Sequence, residues 1–144
     1  MKLYERVWCL SQWLRFKSTY LEMKYHLKQV LKGKEINYIK PIYHHDRCIG
    51  KSVALARLSA KYDIPIVVPT YTWKRLIEVD IPRCLPKYFK KKKPTAIVIN
   101  NIRGIQRLIV LFEEGLTNEE INMIAHYFQG TVVGYRNISI KKEK

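Results

Sequence analysis

Gly50, Lys51 and Ser52 carry the strongest chemical signal in the sequence. They close the run His45-Asp46-Arg47-Cys48-Ile49-Gly50-Lys51-Ser52, between a strand-like and a helix-like segment. That setting suits a phosphate-binding loop. Backbone N–H groups at a helix N-terminus point at phosphate oxygens, the Lys adds a point charge, and the Ser hydroxyl is placed to ligate Mg²⁺. The complete pattern is Gly-x-x-x-x-Gly-Lys-Ser/Thr, and His45 stands where its first Gly belongs. The signal is therefore a degenerate one. His44 and His45 flank the loop but have no third metal ligand in view, so they read as loop residues. Cys48 beside Lys51 and a helix start would favour its thiolate, yet no base–orienter set accompanies it.

Such a loop needs a strand to enter it and a helix to leave it. Residues 36–44 read as the strand, with Pro41 restricting the ordered part to about 41–44. Ser52 to Lys61 are helix formers with small residues on one side, and Tyr62-Asp63 closes that helix. Ile64-Pro65-Ile66-Val67-Val68 is a near-continuous apolar run, as in a strand buried on both faces of a parallel sheet. A short helix over 72–79 follows, with Thr70 or Thr72 as its cap. Residues 80–94 read as an exposed linker, interrupted by Pro82, Pro86 and Pro94 and rich in lysine from Lys87 to Lys93. Thr95 to Asn101 is a third strand and its exit, Ile105 to Glu114 reads as a helix, and Thr117 with Glu120 forms a capping box. Thr131 to Tyr135 is a fourth strand. Alternating strands and helices imply a mostly parallel sheet with helices on its faces, and ligands then bind at the strands' carboxyl ends.

Ahead of this unit, residues 2–32 read as a helix stopped at Gly33. Leu3, Val7, Leu10, Leu14, Leu21, Tyr25, Leu27 and Leu31 recur at steps near three and four, with basic residues opposite. The expected organisation is an amphipathic helical region at 1–34, an α/β domain at 35–140, and a basic tail at 141–144.

With 144 residues the chain suits one domain. Its net charge of +15 comes from 27 Lys and Arg against 12 Asp and Glu, which favours a polyanionic partner. Lys90, Lys91, Lys92 and Lys93 are the candidate nucleic-acid contacts. Cys9, Cys48 and Cys84 lack Cys-x-x-Cys spacing, which argues against a zinc site or disulfide framework and for a reduced, cytoplasmic protein. No apolar run suggests a signal peptide or a membrane helix.

The stretch Asp46 to Leu55, followed by Lys61-Tyr62-Asp63-Ile64-Pro65-Ile66-Val67-Val68-Pro69, resembles small P-loop NTPase-like proteins of phages and other mobile elements. The resemblance implies a P-loop fold over about 38–136 and the cytoplasm of a host cell as the setting. It implies that Asp46, Arg47, Cys48, Ile49, Gly50, Lys51, Ser52 and Val53 bind nucleotide, ATP or GTP. Lys51 would then touch the β- and γ-phosphates, and Ser52 would hold Mg²⁺. The third strand would be the one that normally ends in Asp-Glu, and here it ends Ile99-Asn100-Asn101. Asn cannot act as a base, so hydrolysis is expected to be weak or absent. Arg103 and Arg136 follow strands and could reach a γ-phosphate, though solvated arginine at a strand end is the plainer reading.

These observations lead to a nucleotide-binding protein that works with nucleic acid or a nucleoprotein complex. The alternative is a non-enzymatic inhibitor or adaptor, such as an anti-defence protein, that keeps the P-loop fold and docks on a host protein complex. An ATPase completed by a neighbouring subunit is the third.

Overall fold

The computed structural model describes residues 2–42, 50–103, 109–128 and 131–137, with Trp8, Cys9, Gln12 and Asn137 described by backbone alone. It is an α/β fold built on a five-stranded, all-parallel sheet. The strands are β1 (Tyr38–Ile42), β2 (Ile66–Val68), β3 (Ala96–Val98), β4 (Val110–Phe112) and β5 (Val132–Asn137), in the order β1-β5-β4-β2-β3. The helices are α1 (Leu3–Leu31), α2 (Lys51–Tyr62), α3 (Tyr71–Arg75), α4 (Ile81–Cys84) and α5 (Asn118–Tyr127), with a π turn over Leu76–Asp80 joining α3 to α4. Among the described residues, no helix is long and apolar enough to cross a membrane.

Side chains alternate across a strand, so each strand feeds two cores. Ile66, Val68, Leu111 and Val133 pack with Leu55 and Leu58 of α2 and with Met23 and Leu27 of α1. Val67, Val110, Phe112 and Val132 pack on the other face with Ile121 and Ile124 of α5. Helices thus cover both faces. Gly134 of β5 lies so close to β4 that a Cβ there would sit on the Phe112 carbonyl oxygen.

Several local expectations hold and several change. Thr70 caps α3, accepting from Trp73 N–H, and Thr117 and Glu120 form the capping box at the start of α5. Gly33 takes φ +77° after α1, and Asp63 takes φ 55° after α2. Pro41 sits inside β1 rather than at its start. It is tolerated because, among the described residues, β1 is an edge strand paired with β5 on one side, so its other side has no ladder to break. The helix expected over 105–114 is instead strand β4 at 110–112, while Gly104 to Leu108 lie outside the described residues. An apolar run of this length fits either element by periodicity, and the two flanking strands settle it as a third buried one. The linker expected at 80–94 begins as helix, with the π turn and α4 running through to Cys84. Gly130 and the tail at 141–144 lie outside the described residues.

The N-terminal helix runs to Leu31, but its core-facing stripe differs from the expected one. Tyr20, Met23, Leu27 and Val30 are buried, whereas Leu3, Val7, Leu10, Leu14, Leu21, Tyr25 and Leu31 are exposed. Apolar residues occur on more than one side of α1, and among its described side chains those buried in the core lie in its second half. Glu22 on that half joins it to β1, accepting from Tyr38 Oη and Lys40 Nζ at 2.6 Å each. Burial works against the Glu22 charge, but these two hydrogen bonds outweigh it and hold the carboxyl below its usual pKa.

Candidate functional site

The site lies where α2 begins, at the carboxyl end of β4. Gly50 caps α2 in the left-handed conformation, φ +83°, which favours glycine. Crowding adds to that constraint, because a Cβ at 50 would stand 2.7 Å from the Phe16 ring of α1. Lys51 is the first residue of α2 and is 5% exposed. Its Nζ lies 3.4 Å from Glu114 Oε1. A buried ammonium needs such a partner, since desolvating a lone charge costs several kcal/mol.

Glu113 and Glu114 come directly off β4. Leu111 faces α2 and Phe112 faces α5, so the alternation turns Glu113 back toward α2. The Glu113 N–H still bonds to the Val67 carbonyl, which holds that register. Glu113 is fully buried, and burial pushes its carboxyl up to about 7. The Ser52 hydroxyl, the Glu114 N–H and Lys51 pull the other way, while the Glu114 charge adds to the rise. Glu113 Oε2 has no hydrogen-bond partner among the described residues. Tyr135, at the adjacent register position on β5, has a buried hydroxyl in the same condition. Burial raises the Tyr135 pKa as well, reinforced by the Glu113 charge.

This arrangement combines an ammonium, a hydroxyl and two carboxyls at a helix N-terminus. Ser52 and the orphaned Glu113 oxygen are hard oxygen donors of the kind Mg²⁺ takes when phosphates supply the rest of its shell. Among the described residues there is no cluster of three or more His, Cys, Asp or Glu that would make an all-protein metal cage.

The sequence-derived residues divide. Gly50, Lys51, Ser52 and Val53 stand at the start of α2, whereas His44, His45, Asp46, Arg47, Cys48 and Ile49 lie outside the described residues. Asn100 and Asn101 are not brought to Lys51. They form an exposed 3₁₀ turn after β3, an edge strand two places from β4, and Asn101 Nδ2 donates to Tyr71 Oη at 3.1 Å. Arg103 is exposed beyond the same turn, and Arg136 is exposed near the end of β5, between β1 and β4. Lys90 to Lys93 are exposed in the segment before β3.

Glu113 and Glu114 are the residues that the sequence reading passes over. Their signal is present in Ile109-Val110-Leu111-Phe112-Glu113-Glu114, an apolar strand run ending in two acids. Taking that run as a helix hides it. Compared with known protein families, with curated proteins and with solved structures, the chain finds no match.

Proposed function

We propose that this protein binds the phosphate chain of ATP or GTP together with Mg²⁺ at the N-terminus of α2, in the manner of a P-loop protein. The observation that carries the reading is the buried Glu113 carboxyl facing Ser52, beside the Lys51–Glu114 ion pair. A helix start offers N–H groups to phosphate, and Lys51 adds the charge. Ser52 and Glu113 would hold the ion, directly or through its water. The bound ion supplies charge neutralisation at the phosphates. Lys51 would exchange Glu114 for phosphate oxygens, which releases the Glu114 carboxylate to accept a proton from water. Slow hydrolysis is the expected activity, since a carboxyl pair supplies what Asn100 and Asn101 cannot. Nucleic acid or a nucleoprotein complex is the proposed partner, on the strength of the +15 charge, and a phage or mobile-element process is the proposed setting, on the strength of the sequence resemblance.

The test is equilibrium titration with fluorescent ATP and GTP analogues, with and without Mg²⁺. Wild type is expected to bind one of them, more tightly with Mg²⁺, and Lys51→Ala to lose about 100-fold or more, the 2.7 kcal/mol or so of a charge-assisted contact. Absence of binding by wild type, or unchanged binding in the variant, would sink the reading.

A second reading, a nucleotide-independent adaptor, is favoured by the exposed apolar stripe of α1. Leu3, Val7, Leu10 and Leu14 are each at least half exposed, a surface more usual at protein contacts than on an isolated domain.

A further inference from the structure

A second concentration of chemistry lies on the flank of α2, reaching the site above only at Gly50 and Val53. A cleft of about 520 Å³ is lined by Arg57, Lys61, Lys87, Lys90, Lys91 and Lys92, and no carboxylate lines it among the described residues. The Arg57 guanidinium is held between two rings, 3.8 Å from the centre of Tyr20 and 4.2 Å from that of Tyr88. It is therefore a fixed cation rather than a waving one. Lys24 stands beside Lys61, whose hydrogen bond and charge hold the Lys24 amine below its usual pKa. Like charges gathered this closely oppose the compact state unless an anion joins them.

The cleft continues into a groove of about 460 Å³, sharing Tyr20, Arg57, Lys87 and Tyr88 with it. The further walls of the groove include Trp13, Phe16 and Leu21. Trp13 is 50% and Phe16 44% exposed, and the Lys17 ammonium lies over one face of the Trp13 ring, 4.9 Å from its centre, which adds a cation to this groove too. A basic track running beside open aromatic rings matches the two halves of a single strand, phosphates on one side and unstacked bases on the other. A duplex keeps its bases stacked and has no use for the aromatic groove.

We propose that this double groove binds single-stranded nucleic acid, with phosphates along Arg57 and the lysines and bases against Trp13 and Phe16. The inference gives chemistry to the nucleic-acid partner named above, but it does not rest on the nucleotide site. The experiment is fluorescence anisotropy with a labelled single strand of about 12 nucleotides, within the usual site size, in buffer free of nucleotide and Mg²⁺. Log affinity is expected to fall linearly with log salt. The triple variant Lys90→Ala, Lys91→Ala, Lys92→Ala is expected to reduce that slope by about 2, at roughly 0.7 per phosphate contact on a single strand. Trp13→Ala is expected to weaken strand binding roughly 5- to 100-fold through lost stacking. A charge-matched variant at the exposed Lys32, Lys34 and Arg75, all changed to Ala, is expected to keep the slope. The same lysine variant is expected to bind ATP or GTP analogues like wild type, which separates this groove from the nucleotide site. Circular dichroism checks that every variant is folded. No strand binding, an unchanged slope in the lysine variant, or equal affinity for a duplex or for phosphatidylserine vesicles would each overturn the proposal.

Discussion

Replacing Glu113 by Gln removes a charge whose burial the structure makes costly, and the cost is readable as a pH dependence of stability. The folded state raises the Glu113 pKa from the usual 4.5 to about 7. In that window the folded protein holds a proton that the unfolded chain has released. Stability contributed by the protonated carboxyl is thus complete below about 4.5 and is lost as pH rises through about 7. At about 1.4 kcal/mol per pH unit the whole loss is about 3 kcal/mol, a large fraction of the 5–15 kcal/mol typical of a domain. Glu113→Gln is neutral at every pH and escapes this term. Urea unfolding of both proteins, without nucleotide or metal, should be run at intervals from pH 5 to 8. The two proteins differ at this one side chain, so the difference between the curves isolates Glu113. The variant should gain on wild type by about 2–3 kcal/mol between pH 5 and pH 8. Superimposable pH profiles, or a wild type that gains on the variant as pH rises, would refute the placement of Glu113 as a buried acid.

Other consequences follow from single contacts. Gly50→Ala meets both the positive φ and the Phe16 ring, and should lower stability by about 1–2 kcal/mol in the same denaturation assay. Gly134→Ala places a methyl on the Phe112 backbone, and because main chain cannot move aside as a side chain does, the loss should exceed about 2 kcal/mol. Thr117→Ala removes the hydroxyl that accepts from Glu120 N–H at 3.1 Å. It should cost about 1 kcal/mol, measured by urea unfolding, without altering nucleotide binding.

The degree to which the sequence discloses the molecule varies by element, for physical reasons. The α2 unit is legible because strand, loop and helix each leave a local signature: small residues along the helix, an apolar run for β2, and a closing Asp63. The capping box of α5 is equally local. Strand β4, which leads into Glu113 and Glu114, is obscured because Ile105 to Phe112 mixes apolar residues that suit either period, and burial on both faces erases alternation. Strand order is not local at all. It alone reveals that Asn100 and Asn101, although they follow an apolar strand, sit at the far edge of the sheet, while Glu113 and Glu114 stand next to Lys51. The core stripe of α1 is hidden for a related reason: Tyr20, Met23, Leu27 and Val30 compete with a second apolar spacing on the same helix, and tertiary packing chooses between them. The Tyr20–Arg57–Tyr88 stack joins residues from three segments and has no sequence signature.

Ser52 and Glu113 are proposed to form the metal side of a nucleotide site. Its most direct test is a crystal grown with a non-hydrolysable ATP or GTP analogue and Mn²⁺ in place of Mg²⁺, examined by anomalous scattering. The expected result is one strong manganese peak about 2.1 Å from Ser52 Oγ, the usual octahedral bond length, with Glu113 in its first or water-bridged shell and Lys51 turned to the phosphates. A manganese peak beside Asn100 and Asn101, or nucleotide bound away from the start of α2, would contradict it.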